Sequence, residues 1–134
     1  MVKKLTLCIV DDDETSQYIL TRAIKSSKAA ENILVFPDGE PALNYLIAHC
    51  EQEDTLPDII FLDINMPIMN GWKFLEGFAT LRPKLKKNIS IYIVTSSSHS
   101  YDLERAKHAN EVSGYLVKPI KQEVVEEIIS KLSA

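Results

Sequence analysis

Five short apolar runs, each followed by a longer amphipathic one, constrain this chain more than any other feature. The first run, Leu5-Thr6-Leu7-Cys8-Ile9-Val10, is almost continuously apolar and stops at three acids, Asp11-Asp12-Asp13. Glu14 to Ser27 then carries Ile19, Leu20, Ala23 and Ile24 at helical spacing. Asp13 stands where a helix cap belongs and reads as one. Asn32 to Phe36 reads as a second strand, Pro37-Asp38-Gly39 as a turn, and Pro41 to His49 as a helix with Ala42, Leu43, Leu46 and Ile47 on one face. Glu51 to Pro57 is polar and reads as an extended loop. The remaining strands are Asp58 to Leu62, Ile89 to Val94 and Gly114 to Val117, alternating with helices at about Trp72 to Leu81, Tyr101 to Ala109 and Gln122 to Leu132.

Strands that are apolar on both faces need cover on both faces, and the intervening helices supply it. The pattern predicts an α/β fold: a doubly wound, five-stranded parallel sheet of the flavodoxin type, strand order 2-1-3-4-5. With 134 residues there is room for one hydrophobic core, so residues 1–134 are read as a single domain with no output domain attached. Ligands in such sheets bind at the carboxyl ends of the strands, near the point where the strand order reverses.

Charge and cysteine usage exclude several functions. A net charge of -4 with scattered basic residues disfavours nucleic-acid or membrane-surface binding, which needs clustered Lys and Arg. The densest basic stretch, Arg82 to Lys87, reads as a solvated helix end and loop. Cys8 and Cys50 lack CxxC or metal-ligand spacing and read as reduced thiols. Neither a signal peptide nor a spanning segment is visible, which makes the cytoplasm the expected location. His49, His99 and His108 read as solvent-facing, and Trp72 is expected near the mouth of the site.

The chemistry is expected at the strand ends. The first strand ends in Asp11-Asp12-Asp13, the third in Asp63, the fourth in Thr95 and Ser96, and the fifth in Lys118. Crowded carboxylates repel and raise at least one pKa unless a cation neutralises them. A hard divalent ion with oxygen ligands does so, and Mg2+ suits a site that also handles phosphate. One carboxylate beside such an ion can attack phosphorus, while a lysine and a hydroxyl stabilise the phosphoryl oxygens.

Four segments then carry a resemblance: Ile9-Val10-Asp11-Asp12, the run from Leu62-Asp63-Ile64-Asn65-Met66-Pro67 to Gly71, Val94-Thr95-Ser96, and Tyr115-Leu116-Val117-Lys118-Pro119. Together they resemble the receiver domain of two-component response regulators over essentially the whole chain. The resemblance implies that Asp63 is the phospho-acceptor and that Asp11 and Asp12 hold Mg2+, with Asp12 the direct ligand. Asn65 would add its backbone carbonyl to the metal. Thr95 is implied as the switch hydroxyl, Lys118 as its ion-pairing lysine and Tyr115 as the switch aromatic. The same resemblance implies a cis bond at Lys118-Pro119. It also implies a sensor histidine kinase or histidine phosphotransfer protein as phosphodonor. Output would pass to another protein, or to a homodimer, through the face built by the fourth helix, fifth strand and fifth helix, together with the Ser96-to-Ser100 loop. The small residues Asn65 and Ser97, flanking the path of a hydrolytic water, imply a moderate to short acylphosphate lifetime.

Two other readings remain open at this stage. Asp11-Asp12-Asp13-Glu14-Thr15 also fits the Asp-x-Asp-x-Thr pattern of haloacid-dehalogenase-like phosphatases, with Asp11 as nucleophile and Asp13 as general acid, but it leaves the run from Asp63 to Gly71 unexplained. A receiver-like binding module that is not phosphorylated is the second. Against the common receiver pattern, the Glu51-to-Pro57 loop is long, and Asn110-Glu111-Val112-Ser113-Gly114 replaces the usual Gly-Ala pair before the fifth strand.

Overall fold

The computed structural model describes residues 4–95 and 100–133. Five parallel strands, β1 (Leu5–Val10), β2 (Ala30–Phe36), β3 (Ile59–Asp63), β4 (Ser90–Thr95) and β5 (Gly114–Val117), form one sheet in the order β2-β1-β3-β4-β5. Between and after them lie α1 (Glu14–Lys25), α2 (Gly39–Ala48), α3 (Gly71–Leu81), α4 (Ser100–Lys107) and α5 (Gln122–Ser133). This is the doubly wound arrangement expected from the alternation of apolar runs.

Each face of the sheet has its own core. Even-numbered residues of β1 and β3 (Cys8, Val10, Ile60, Leu62), with Ile91 and Ile93 of β4, pack with Ala42, Leu46, Phe74, Phe78 and Ala106 from α2, α3 and α4. Leu7, Ile9, Ile59 and Phe61 face the other way, onto Leu20 and Ile24 of α1 and Val125 and Ile129 of α5. Because successive strand side chains alternate sides, a strand buried on both faces must be apolar at every position. β1 and β3 are apolar apart from Thr6 near the start of β1 and Asp63 at the end of β3, and each of the large apolar side chains contributes roughly 1.5–3 kcal/mol by burial. None of the described helices is long and apolar enough to cross a membrane.

The edge strands depart from the two-faced pattern. β2 is only partly buried, with Val35 43% exposed, and β5 alternates, leaving Tyr115 and Val117 outward. An edge strand has a neighbour on one side only and is shielded less.

Three local readings also change. Asp38 is not a turn residue but the N-cap of α2, which begins at Gly39, two residues before Pro41. Its buried carboxylate accepts from the Glu40 amide at 3.1 Å. The polar stretch from Glu51 to Pro57 is folded into turns, with Thr55 N and Leu56 N donating to Gln52 O, and is tied down by Tyr45 Oη donating to Thr55 O and Lys87 Nζ to Leu56 O, both at 2.8 Å. His49, stacked on Tyr45, bonds Gln52 and Thr55 and so is part of this brace, whereas His108 is exposed.

The basic stretch is likewise more than a solvated end. Arg82 opens a short 3-10 helix, lies over the Phe78 ring and pairs with Glu111. Lys87 pairs with the buried carboxylate of Asp58 at 3.4 Å, and Asp58 also accepts from the Thr6 amide at 2.8 Å. At Gly114 an added Cβ would stand 2.9 Å from the Tyr92 ring, so the unusual segment before β5 still ends in the residue the sheet needs.

Candidate functional site

Strand register assembles the site. Val10 pairs with Leu62, Asp63 with Val94, and Thr95 with Val117. The residues at or just beyond these pairs are Asp11, Asp63, Thr95 and Lys118, so four elements deliver four polar groups to one end of the sheet. Lys118 N donates to Thr95 O at 2.8 Å, which ties the last two together through the backbone. The Lys118-Pro119 bond is cis, as the resemblance implied.

The three carboxylates of Asp11, Asp12 and Asp63 offer oxygens that all lie within 4.8 Å of one another. Asp11 and Asp63 are buried and Asp12 is exposed. Lys118 Nζ sits 3.0 Å from Asp11 Oδ2 and 4.0 Å from Asp63 Oδ1, a single cation shared by two buried acids. The Asp11 contact is close enough for an ion pair but lacks hydrogen-bond alignment, and Asp11 Oδ2 is buried without a hydrogen-bond partner. Its other oxygen is fixed by the Asp13 amide at 2.9 Å. Burial, reinforced by the charges of Asp11 and Asp12 and partly offset by Lys118, pushes the Asp63 carboxyl up to about 7. An excess of negative charge over the single lysine, together with an orphaned buried oxygen, fits a hard divalent cation.

Asp13 stands apart from this cluster. Its carboxylate accepts from Ser16 Oγ at 2.9 Å and Ser16 N at 3.3 Å, capping α1, and the Ser16 hydroxyl bond holds its carboxyl below the usual range. Gln17, which sequence reasoning passed over, donates from Nε2 to Asp11 O at 2.7 Å and locks the backbone under the acidic pair. A polar residue one helical turn past an acidic strand end was the available signal.

After Asp63, residues 64–70 form a loop closed at its base by Gly71 N donating to Ile64 O at 2.8 Å. Asn65 lies two residues past Asp63 and is exposed, while Met66 is buried. Thr95 is 1% exposed at the end of β4. Tyr115 is 37% exposed on the outer edge of β5. Trp72 follows Gly71, and the Arg105 guanidinium of α4 lies 4.3 Å from the centre of its ring. Ser96, Ser97 and His99, with the roles expected of them, lie outside the described residues.

The profile of the response regulator receiver domain matches residues 7–130. The chain belongs to the receiver family. This receiver is 27% identical over 126 residues to the probable methanogenesis regulatory protein FilR2 of Methanothrix harundinacea, covering 94% of this chain and 79% of that protein. It is 27% identical to the response regulator Rcp1 of Synechocystis, over 84% of this chain and 75% of Rcp1. A solved two-component response regulator from Cytophaga hutchinsonii superposes with a TM-score of 0.82 at 26% identity, covering 97% of this chain and 98% of that one. Other relatives are protein-glutamate methylesterases, such as those of Geobacter sulfurreducens and Rhodospirillum rubrum, of which the receiver spans 31% and 30%. Mg2+ binding and an aspartyl phosphate are typical of receiver domains.

Proposed function

We propose that this receiver acts in the cytoplasm as a phosphorylation switch, taking a phosphoryl group onto Asp63 from a phosphohistidine of a sensor kinase or phosphotransfer protein. The observation that carries the reading is the pairing of buried Asp63 with Lys118 beside two further carboxylates. Asp11, Asp12, Asp63 and the Asn65 carbonyl would hold Mg2+, which when bound neutralises the carboxylates and the oxygens of an incoming phosphoryl group. That Rcp1 has been solved in a Mn2+-bound form lends support from a relative.

An Asp63 carboxylate oxygen attacks phosphorus in line and forms the P–O bond. The P–N bond of the donor imidazole breaks, its electron pair stays on the ring nitrogen, and that nitrogen then takes a proton. Lys118 moves its charge toward the phosphoryl oxygens, and the Thr95 hydroxyl donates to one of them. The domain thereby catalyses only its own phosphorylation and dephosphorylation. Contacts made only in the phosphorylated state shift a two-state equilibrium. Outward Tyr115 and Val117 on β5, between α4 and α5, form the face through which a target protein or a second copy reads that state.

The test is incubation with acetyl phosphate and Mg2+, followed by peptide mapping. Label is expected on the peptide carrying Asp63 and is expected to vanish in Asp63→Asn. Label on Asp11 would instead favour the phosphatase reading, which the capping bonds of Asp13 already disfavour. Complete absence of label would favour an unphosphorylated binding module.

A further inference from the structure

The acceptor loop is tied at a point that none of the assigned site residues supplies. Asp38, the N-cap of α2, lies two residues past β2, the edge strand opposite the β5 that carries Lys118 at its end, and is 4% exposed. Its Oδ1 accepts from Met69 N at 2.8 Å and its Oδ2 from Ile68 N at 3.0 Å, in addition to the cap bond from Glu40 N to Oδ1. One buried carboxylate thus caps α2 and holds two consecutive amides of the loop after Asp63. The neighbouring residue is shaped to the same contact: a Cβ on Gly39 would stand 2.6 Å from Met69 O, so this approach of two backbones needs glycine. Burial alone would push the Asp38 carboxyl up, yet the converging backbone N–H groups hold it below the usual range.

We infer that Asp38 is a positioning residue for the metal subsite: by clamping Ile68 and Met69 it holds the loop in the one course that presents the Asn65 carbonyl beside Asp11, Asp12 and Asp63. A backbone carbonyl is a useful ligand only if its loop is already in place, because ordering the loop on binding would consume binding free energy. The loop is fixed at its base by Gly71 and anchored by buried Met66, so its far half is the part that Asp38 restrains. This role presupposes the acceptor function, so labelling of the wild-type protein is measured first and separates failure of that function from failure of the clamp.

Two substitutions dissect the carboxylate. Asp38→Asn keeps Oδ1 for Glu40 and Met69 but sets an NH2 group against the Ile68 amide. Asp38→Ser keeps a hydroxyl that caps α2 but is too short to reach either loop amide. Mg2+ affinity is read by titration calorimetry with the metal alone, and amide hydrogen exchange at Ile68 and Met69 reports the clamp directly. The dissociation constant is expected to rise about tenfold in Asp38→Ser and less in Asp38→Asn, as for other groups that orient metal ligands from behind. Exchange at Ile68 and Met69 should accelerate in the same order. Acetyl phosphate labelling of Asp63 should be slow at low Mg2+ and recover at saturating Mg2+. A purely structural role would lower the urea midpoint and leave the Mg2+ dissociation constant of the folded variants unchanged. A constant within twofold of wild type in folded Asp38→Ser, or a labelling defect that saturating Mg2+ does not relieve, would overturn the assignment.

Discussion

Asp63 is held in a state it would not adopt in water. An unfolded aspartate titrates near 3.9, whereas burial and two neighbouring carboxylates push this one to about 7. Between those values the metal-free folded protein holds a proton that the unfolded chain has lost. Its stability therefore falls as pH rises from about 4 to 7. Measured as the difference between wild type and Asp63→Asn, this penalty should be small at pH 4 and reach on the order of 2–4 kcal/mol at pH 7. Urea unfolding without divalent metal checks it, and a difference that does not grow with pH would remove the electrostatic account. Asp11 and Lys118 show the same economy at smaller scale: the Asp13 amide fixes one Asp11 oxygen and leaves the other beside Lys118, whose ammonium also reaches Asp63, while Gln17 holds the Asp11 backbone from α1.

At the scale of elements, the start of α3 is welded to the end of β3. A Cβ on Gly71 would lie 2.7 Å from Asp63 O and 2.9 Å from Ile64 Cα, and both are backbone atoms that cannot swing aside. Asn70 caps the helix by accepting from Lys73 N at 2.9 Å, so α3 cannot slide to make room. Gly71→Ala is therefore expected to cost roughly 1–3 kcal/mol by overpacking and to displace the loop, weakening Mg2+ binding more than an exposed Gly-to-Ala change could. Chemical denaturation and metal titration of the same variant check both parts. α4 joins this assembly through Arg105 over Trp72, so the indole reports on the α3–α4 contact.

Over the whole molecule, excess negative charge at one end of the sheet is expected to make stability depend on divalent metal. Binding to the folded state alone stabilises by about 2.7 kcal/mol at a hundred times the dissociation constant, which for a domain of this size raises the melting temperature by roughly 10 °C. Thermal melts at pH 7 with and without Mg2+ should show this shift in wild type. In Asp63→Asn it should be smaller, because one carboxylate of the cluster has been neutralised. The opposite end of the sheet balances its own buried charge: Asp58 accepts from the Thr6 amide and pairs with Lys87 there.

The sequence alone determined the class of fold and the identity of the acidic cluster. Apolar runs at strand length, alternating with helical periodicity, allow few other folds, and polar residues that interrupt strands at their carboxyl ends must meet at one edge of a parallel sheet. Cap chemistry was legible too, at Asp13, because it depends on neighbours within one helical turn. Tertiary structure decided the rest. Asp38 looked like a turn residue because its two loop partners, Ile68 and Met69, are about thirty positions away, and no local pattern announces such a bond. The half-exposed faces of β2 and β5 followed from their places at the sheet edges, which composition does not specify. Local interactions are written in short windows of sequence; contacts between segments far apart in the chain exist only once the sheet has brought its strand ends together.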